Sequence, residues 1–149
     1  MKFTDRLISD HRSIRKQLET LAKTADQPAP WDWTRIRQRT GLLTRIVVTH
    51  AQAEEALLFP LMRECPKIPR VDMDHYVEEH QAIVKYLSRL EDAVGAVGPG
   101  SRLWPQDFSL LEKALEKHFK REEEQLFPLA EEFLGAERLE TLSLQWDAQ

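Results

Sequence analysis

His50-Ala-Gln-Ala-Glu-Glu-Ala-Leu-Leu-Phe-Pro-Leu61 returns 68 residues further along the chain as His118-Phe-Lys-Arg-Glu-Glu-Glu-Gln-Leu-Phe-Pro-Leu129. Each copy sets a His and a Glu four residues apart, His50 with Glu54 and His118 with Glu122. On a helix that spacing stacks both side chains on one face, one turn apart, as metal ligands require. Both copies then run into Leu-Phe-Pro-Leu. A proline inside a helix loses one hydrogen bond and clashes with the carbonyl four residues back, so both helices are expected to bend there. The repeat also reaches upstream: His11 precedes His50 by 39 residues and His80 precedes His118 by 38. The chain therefore reads as two copies of helix, loop, helix, each giving one His from its first helix and a His-x-x-x-Glu from its second.

Apolar stripes at helical spacing surround these residues. A first helix, with Thr4 as its expected N-cap, carries Leu7, His11, Ile14, Leu18, Leu21 and Ala25. A second, from about Asp32 to Glu64, carries Ile36, Thr40, Leu43, Val47, His50, Glu54, Leu57 and Leu61. A third, from about Asp72, carries Met73, Tyr76, His80, Ile83, Leu87, Leu90, Val94 and Val97. The fourth, with Pro105 suited to its first position, carries Phe108, Leu111, Leu115, His118 and Glu122, then Gln125 or Leu126, then Leu129. Gly135 suits a helix C-terminus, and Leu139, Leu142 and Trp146 suggest a short amphipathic tail covering one end. No segment reads as a strand. The expected fold is all-α, an up-down-up-down four-helix bundle with a short C-terminal helix. One domain spans 1-149, with repeats at about 4-64 and 72-134 and a tail at 135-149. Counting about 1.5 Å per residue from the two helix-helix turns puts all four histidines at about one level of the interior. Trp31, Trp33 and Trp104 fall together at the opposite end and are expected to cap the core.

The composition is that of a water-soluble chain: 42% of its 149 residues are hydrophobic and 31% charged, for a net charge of −4. Acids and bases are interspersed, which argues against a nucleic-acid stripe or a membrane-surface patch. The N-terminus shows no apolar leader and no apolar run approaches a membrane span, so a cytoplasmic location is expected. Cys65 is the single cysteine, which excludes an internal disulfide and fits a reducing compartment.

Any one of these histidines, taken alone, reads as a core residue satisfied by hydrogen bonds. Six polar groups converging on one level do not. A buried polar group without a partner costs about 1–3 kcal/mol, and six such groups rival the whole stability of a domain, about 5–15 kcal/mol. Four imidazoles and two carboxylates suit iron, manganese or zinc; the set lacks the thiolates of a structural zinc site and the all-oxygen cage of calcium. Six donors exceed one tetrahedral ion and match two ions, each with two His and a share of two bridging Glu, with charge left for a bridging oxide or hydroxide.

The order His, His-x-x-x-Glu, Glu-His, His-x-x-x-Glu-Glu, with Leu-Phe-Pro after both pairs, closely resembles the hemerythrin-like (HHE cation-binding) domains over about residues 5 to 134. The resemblance implies a non-haem di-iron centre, with manganese or zinc as substitutes. His11, His50, His80 and His118 would be terminal ligands and Glu54 and Glu122 bridges. The oxygen carriers of that family have a further His one turn before the third-helix ligand, and Tyr76 stands there in this chain. Tyr76 reads as a core aromatic, as a hydrogen-bond donor to a bridging oxygen, or as a phenolate ligand. His75, next to it but 100° round the helix, is expected to be exposed. Glu55 and Glu123 read as solvated or inter-helix charges, or as acceptors that orient a ligand imidazole. The function expected is a di-iron protein that binds or senses dioxygen, nitric oxide or peroxide, or handles iron. A sensor implies a separate protein partner. Two alternatives are a redox enzyme reducing peroxide or nitric oxide, and a bundle whose metal is structural and whose role is to bind a protein.

Overall fold

The computed structural model describes residues 1–68, 73–95 and 98–148. Its helices are α1 (Phe3–Ala25), α2 (Trp33–Ala53), α3 (Phe59–Glu64), α4 (Met73–Val94), α5 (Trp104–Arg121) and α6 (Phe127–Asp147). One π-helical turn, Glu54–Leu58, joins α2 to α3, and another, Glu122–Leu126, joins α5 to α6. No strand occurs among the described residues. Helix α1 packs on α2 and α5, and α4 packs on α2 and α5, which closes a four-helix bundle around one core. The expected start of the third helix at Asp72, the breaks at Pro69 and Arg70, and Val97 lie outside the described residues.

The stripes before the ligand glutamates are buried as their spacing requires, from Leu7 to Leu21 on α1, Ile36 to Glu54 on α2, Met73 to Val94 on α4 and Phe108 to Glu122 on α5. Beyond the glutamates the expected register is displaced by one residue. Leu58 and Met62 are buried where Leu57 and Leu61 were expected, and Ala130 takes the place of Leu129. Gln125 is exposed and Leu126 buried, which settles that choice. The cause is the π-turn, which holds one more residue than an α-turn and so advances the buried face by one position. It also accommodates the prolines. Pro60 and Pro128 each fall in the first turn of the helix that restarts after the π-turn, where a missing N–H costs little.

One further expectation is corrected. Thr4 does not cap α1: Lys2 holds that position without a side-chain hydrogen bond, and Thr4 lies buried in the first turn, its hydroxyl donating to Glu131 Oε1 at 2.9 Å. The Thr4–Glu131 hydrogen bond anchors α1 to α6 in this way. Gly135, at φ +82° and ψ 162°, ends the first part of α6 as expected, and a short C-terminal helix follows to Asp147. That left-handed backbone suits glycine, and it folds Leu139 and Leu142 over the end of the core.

Two apolar halves flank the polar level. One is built from Ile14, Leu18, Leu43, Leu87, Leu111 and their neighbours, and ends in the Trp31, Trp33 and Trp104 cluster. Trp31 meets the other two edge-on with ring centroids 5.6 and 5.9 Å away. Gly100 is required there, because a Cβ would sit 2.6 Å from the Trp33 ring. The other half holds Phe3, Leu7, Leu58, Phe59, Phe127 and Leu139.

Candidate metal centre

Between these halves lie His11 on α1, His50 on α2, His80 on α4 and His118 on α5, with Glu54 and Glu122 opening the two π-turns. All six are buried, and both glutamates are 0% exposed. The imidazoles meet in two pairs, His11 Nε2 with His50 Nε2 at 3.1 Å and His80 Nε2 with His118 Nε2 at 3.1 Å. Each carboxylate reaches both pairs. Glu54 Oε1 lies 2.8 Å from His50 Nε2 and 3.6 Å from His80 Nε2. Glu122 Oε1 lies 3.0 Å from His11 Nε2 and 3.3 Å from His118 Nε2. Both oxygens of Glu54, and Oε2 of Glu122, are buried without a well-formed hydrogen bond. The six residues form two overlapping groups able to hold a metal, Glu54, His80, His118 and Glu122 in one, His11, His50 and Glu122 in the other.

The outer nitrogens explain why the inner ones point together. His11 Nδ1 donates to Glu123 at 2.7 Å, His50 Nδ1 to Asp10 at 3.1 Å, and His118 Nδ1 to Glu79 at 2.9 Å. His80 Nδ1 lies 3.3 Å from Glu55 in a looser ion contact. A carboxylate only accepts, so His11, His50 and His118 each carry a proton on Nδ1 and turn Nε2 inward. Glu123 thus meets an imidazole at hydrogen-bonding distance, whereas Glu55 approaches His80 without a well-formed hydrogen bond. Asp10 and Glu79 were missed. The signal was available: each immediately precedes the first-helix His of its repeat, an acid at the same offset in both copies. The arrangement respects the repeat, since Asp10 and Glu79 hold the second His of their own copy and Glu55 and Glu123 hold the first His of the other.

The electrostatics are those of a site that wants a cation. Burial and the neighbouring His50 push His11 down to about 4. Burial likewise disfavours the His50 cation, but Glu54 and Asp10 outweigh it and raise that imidazole to about 9. Burial lowers His118 as well, partly offset by Glu79. Glu54 stays well below the usual carboxylate range because His50 and His80 overcome its complete burial. The His11–His50 pair accordingly holds one proton where two lone pairs would otherwise face each other.

Tyr76 is buried beside this cluster, its ring 6.1 Å from Phe59 and 6.3 Å from His118, with the Arg121 guanidinium 5.4 Å over its face. Burial raises its hydroxyl above the ordinary value, against the pull of Arg121. His75 was expected to be exposed and is only partly so, at 41% of its side chain; it contacts Arg121 and lies outside the six.

A helical bundle with four imidazoles and two carboxylates converging in its core defines a metal-binding bundle. The profile of the hemerythrin HHE cation-binding domain matches residues 2–139. The chain belongs to that family and is a metal-binding hemerythrin-like protein. No curated protein and no solved structure matches it. No helix among the described residues is long and apolar enough to cross a membrane.

Proposed function

We propose that the chain holds two iron ions and binds or senses a small oxidant. The observation that carries this reading is the pair of Nε2–Nε2 contacts at 3.1 Å. Two inward lone pairs at that distance repel each other unless a proton or a metal lies between them. The donor set fits iron: imidazoles and carboxylates, with no thiolate, since Cys65 packs in the apolar half away from the cluster. His11 with His50 and His80 with His118 would hold one ion each, and Glu54 and Glu122 would span both. When bound, the ions supply redox chemistry and positions for dioxygen, nitric oxide or peroxide. Asp10, Glu55, Glu79 and Glu123 hold the imidazoles in orientation and in the Nδ1–H tautomer. Tyr76 stays protonated at neutral pH and serves as a hydrogen-bonding or proton-donating neighbour, not as a phenolate ligand. That same phenol favours the second reading, a reductase of peroxide or nitric oxide. The single cysteine supports a cytoplasmic setting.

Metal analysis of protein made with ample iron tests the proposal. About two irons per chain are expected, falling toward one in His80→Ala. One zinc and no iron sinks the di-iron reading, and unchanged content in His80→Ala refutes the ligand assignment. Uptake of nitric oxide excludes a closed structural site, and turnover with an added reductant separates enzyme from binder.

A further inference from the structure

The internal repeat provides a control for every position around the centre, because each residue of one copy has a counterpart in the other. On α1 the counterparts lie 69 residues before those on α4, and on α2 they lie 68 before those on α5. The ligands agree at all six positions. Several neighbours do not.

On the α1–α5 side the centre is closed. Phe119 stacks on the His11 imidazole, with ring centroids 3.9 Å apart and planes 19° from parallel. Arg15 covers Phe119, its guanidinium 5.3 Å from the ring centroid. Arg15 is tied in place by Glu116 at 2.9 Å and Glu123 at 3.0 Å. Aromatic, cation and anion together form a latch over that flank.

The counterparts of Phe119, Arg15 and Glu116 are Ala51, Val84 and Val48. No latch can form from these residues, and between α2 and α4 a cleft opens instead. Its wall includes Val48, Ala51, Ile83, Val84 and Leu115 together with Phe119, which thus borders both flanks, and its polar lining is His50 from one imidazole pair and His80 and His118 from the other. Val84 at its outer edge is 46% exposed. The cleft volume is about 10 Å3, room for about one water-sized molecule. Tyr76, whose counterpart on the closed side is Leu7, belongs to the same half as His80.

We propose that this cleft is the entry port of the centre. It admits a small neutral ligand of the diatomic-gas class to the level where His50, His80 and His118 meet, while the Arg15–Glu116–Phe119 latch seals the His11 flank. The inference rests on the metal-centre reading above and adds a route and a restriction to neutral ligands. An apolar throat of this size excludes anions, because a charged or strongly hydrated species would have to shed its water without replacement partners. Nitric oxide and dioxygen pass; peroxide anion does not.

The test copies the latch into the port. Ala51→Phe fills the throat. The double variant Val48→Glu/Val84→Arg rebuilds only its outer part, at partly exposed positions where the fold tolerates charge. Nitric oxide association with the ferrous iron-loaded protein is followed by stopped-flow absorbance, and xenon uptake by the zinc-loaded protein through the 129Xe chemical shift. At unchanged metal content, each variant is expected to slow nitric oxide association at least tenfold, and Ala51→Phe to abolish the saturable xenon shift. Wild-type rates and wild-type xenon binding in both variants overturn the port. If Ala51→Phe does not fold, the double variant decides alone by the same criteria. A wild-type protein that takes up no iron overturns the di-iron reading instead. In that event xenon still decides the port: uptake lost in the variants supports it, and no uptake by the wild type refutes it.

Discussion

Removing the carboxylate behind a ligand imidazole weakens metal binding by an amount that the burial of that carboxylate sets. Glu79 is 17% exposed and accepts from His118 Nδ1 at 2.9 Å, while Arg121 holds its other oxygen at 3.2 Å. Asp10 is 50% exposed and accepts from His50 Nδ1 at 3.1 Å. Loss of such partners costs about 10- to 100-fold in metal affinity. A half-exposed acid is readily replaced by water, so Asp10→Ala belongs at the low end, about tenfold or about 1.4 kcal/mol. Glu79 is screened from water and prearranged by Arg121, so Glu79→Ala belongs at the high end, about 100-fold or about 2.7 kcal/mol. Glu79→Gln retains an acceptor oxygen without the charge and should fall between them. Zinc titration against a chromophoric chelator measures all three, with circular dichroism to verify the fold. Wild-type affinity in Glu79→Ala, or a larger loss in Asp10→Ala, refutes the reasoning that the buried carboxylate orients its imidazole.

Metal uptake at pH 7 to 8 should release close to one proton, because His50 is raised to about 9 in the metal-free fold and must be neutral to ligate; an indicator dye that registers no release contradicts this. In the metal-free protein the raised His50 contributes stability fully below its unfolded value of 6.5 and loses it as pH rises through about 9. His11, depressed from 6.5 to about 4, erodes stability as pH falls through that interval. The melting temperature of metal-free protein should therefore peak near the unfolded value of 6.5, and a monotonic profile would count against these assignments. Leu58→Ala should cost about 2–5 kcal/mol as a fully buried leucine and Leu57→Ala clearly less, by urea unfolding; equal losses would mean the π-turn register is wrong. Tyr76→Phe should keep fold and metal content but change the rate at which the ferrous protein oxidises in air, and Tyr76→His should slow it. Wild-type behaviour in both reduces Tyr76 to core packing.

The bundle and the convergence of six polar residues were legible because helical periodicity converts directly into a buried face, and His11, His50, Glu54, His80, His118 and Glu122 occupy that face. What escaped has three physical causes. Thr4 misled because capping preference describes an isolated helix end, whereas here Glu131 from the far end of the chain claims the hydroxyl. Leu57, Leu61 and Leu129 misled because a fixed 3.6-residue period cannot register a turn that inserts a residue. Asp10 and Glu79 escaped for a third reason: a residue 100° off the stripe looks solvated until a neighbouring helix brings a nitrogen within reach.

The π-turns act as phase locks. Upstream of Glu54 the helix must present Val47 and His50 to the core, and downstream it must present Leu58 and Met62. The two demands differ by one residue, and only the wide turn satisfies both. Straightening either turn into regular α-helix would rotate the helix by about 100°. That motion would expose Leu58 and Met62 or swing Glu54 out of the centre; the same holds for Leu126, Ala130 and Glu122 in the second copy. Each glutamate is thus clamped at a mechanical discontinuity loaded from both sides, so the two carboxylates form a rigid frame for the four imidazoles.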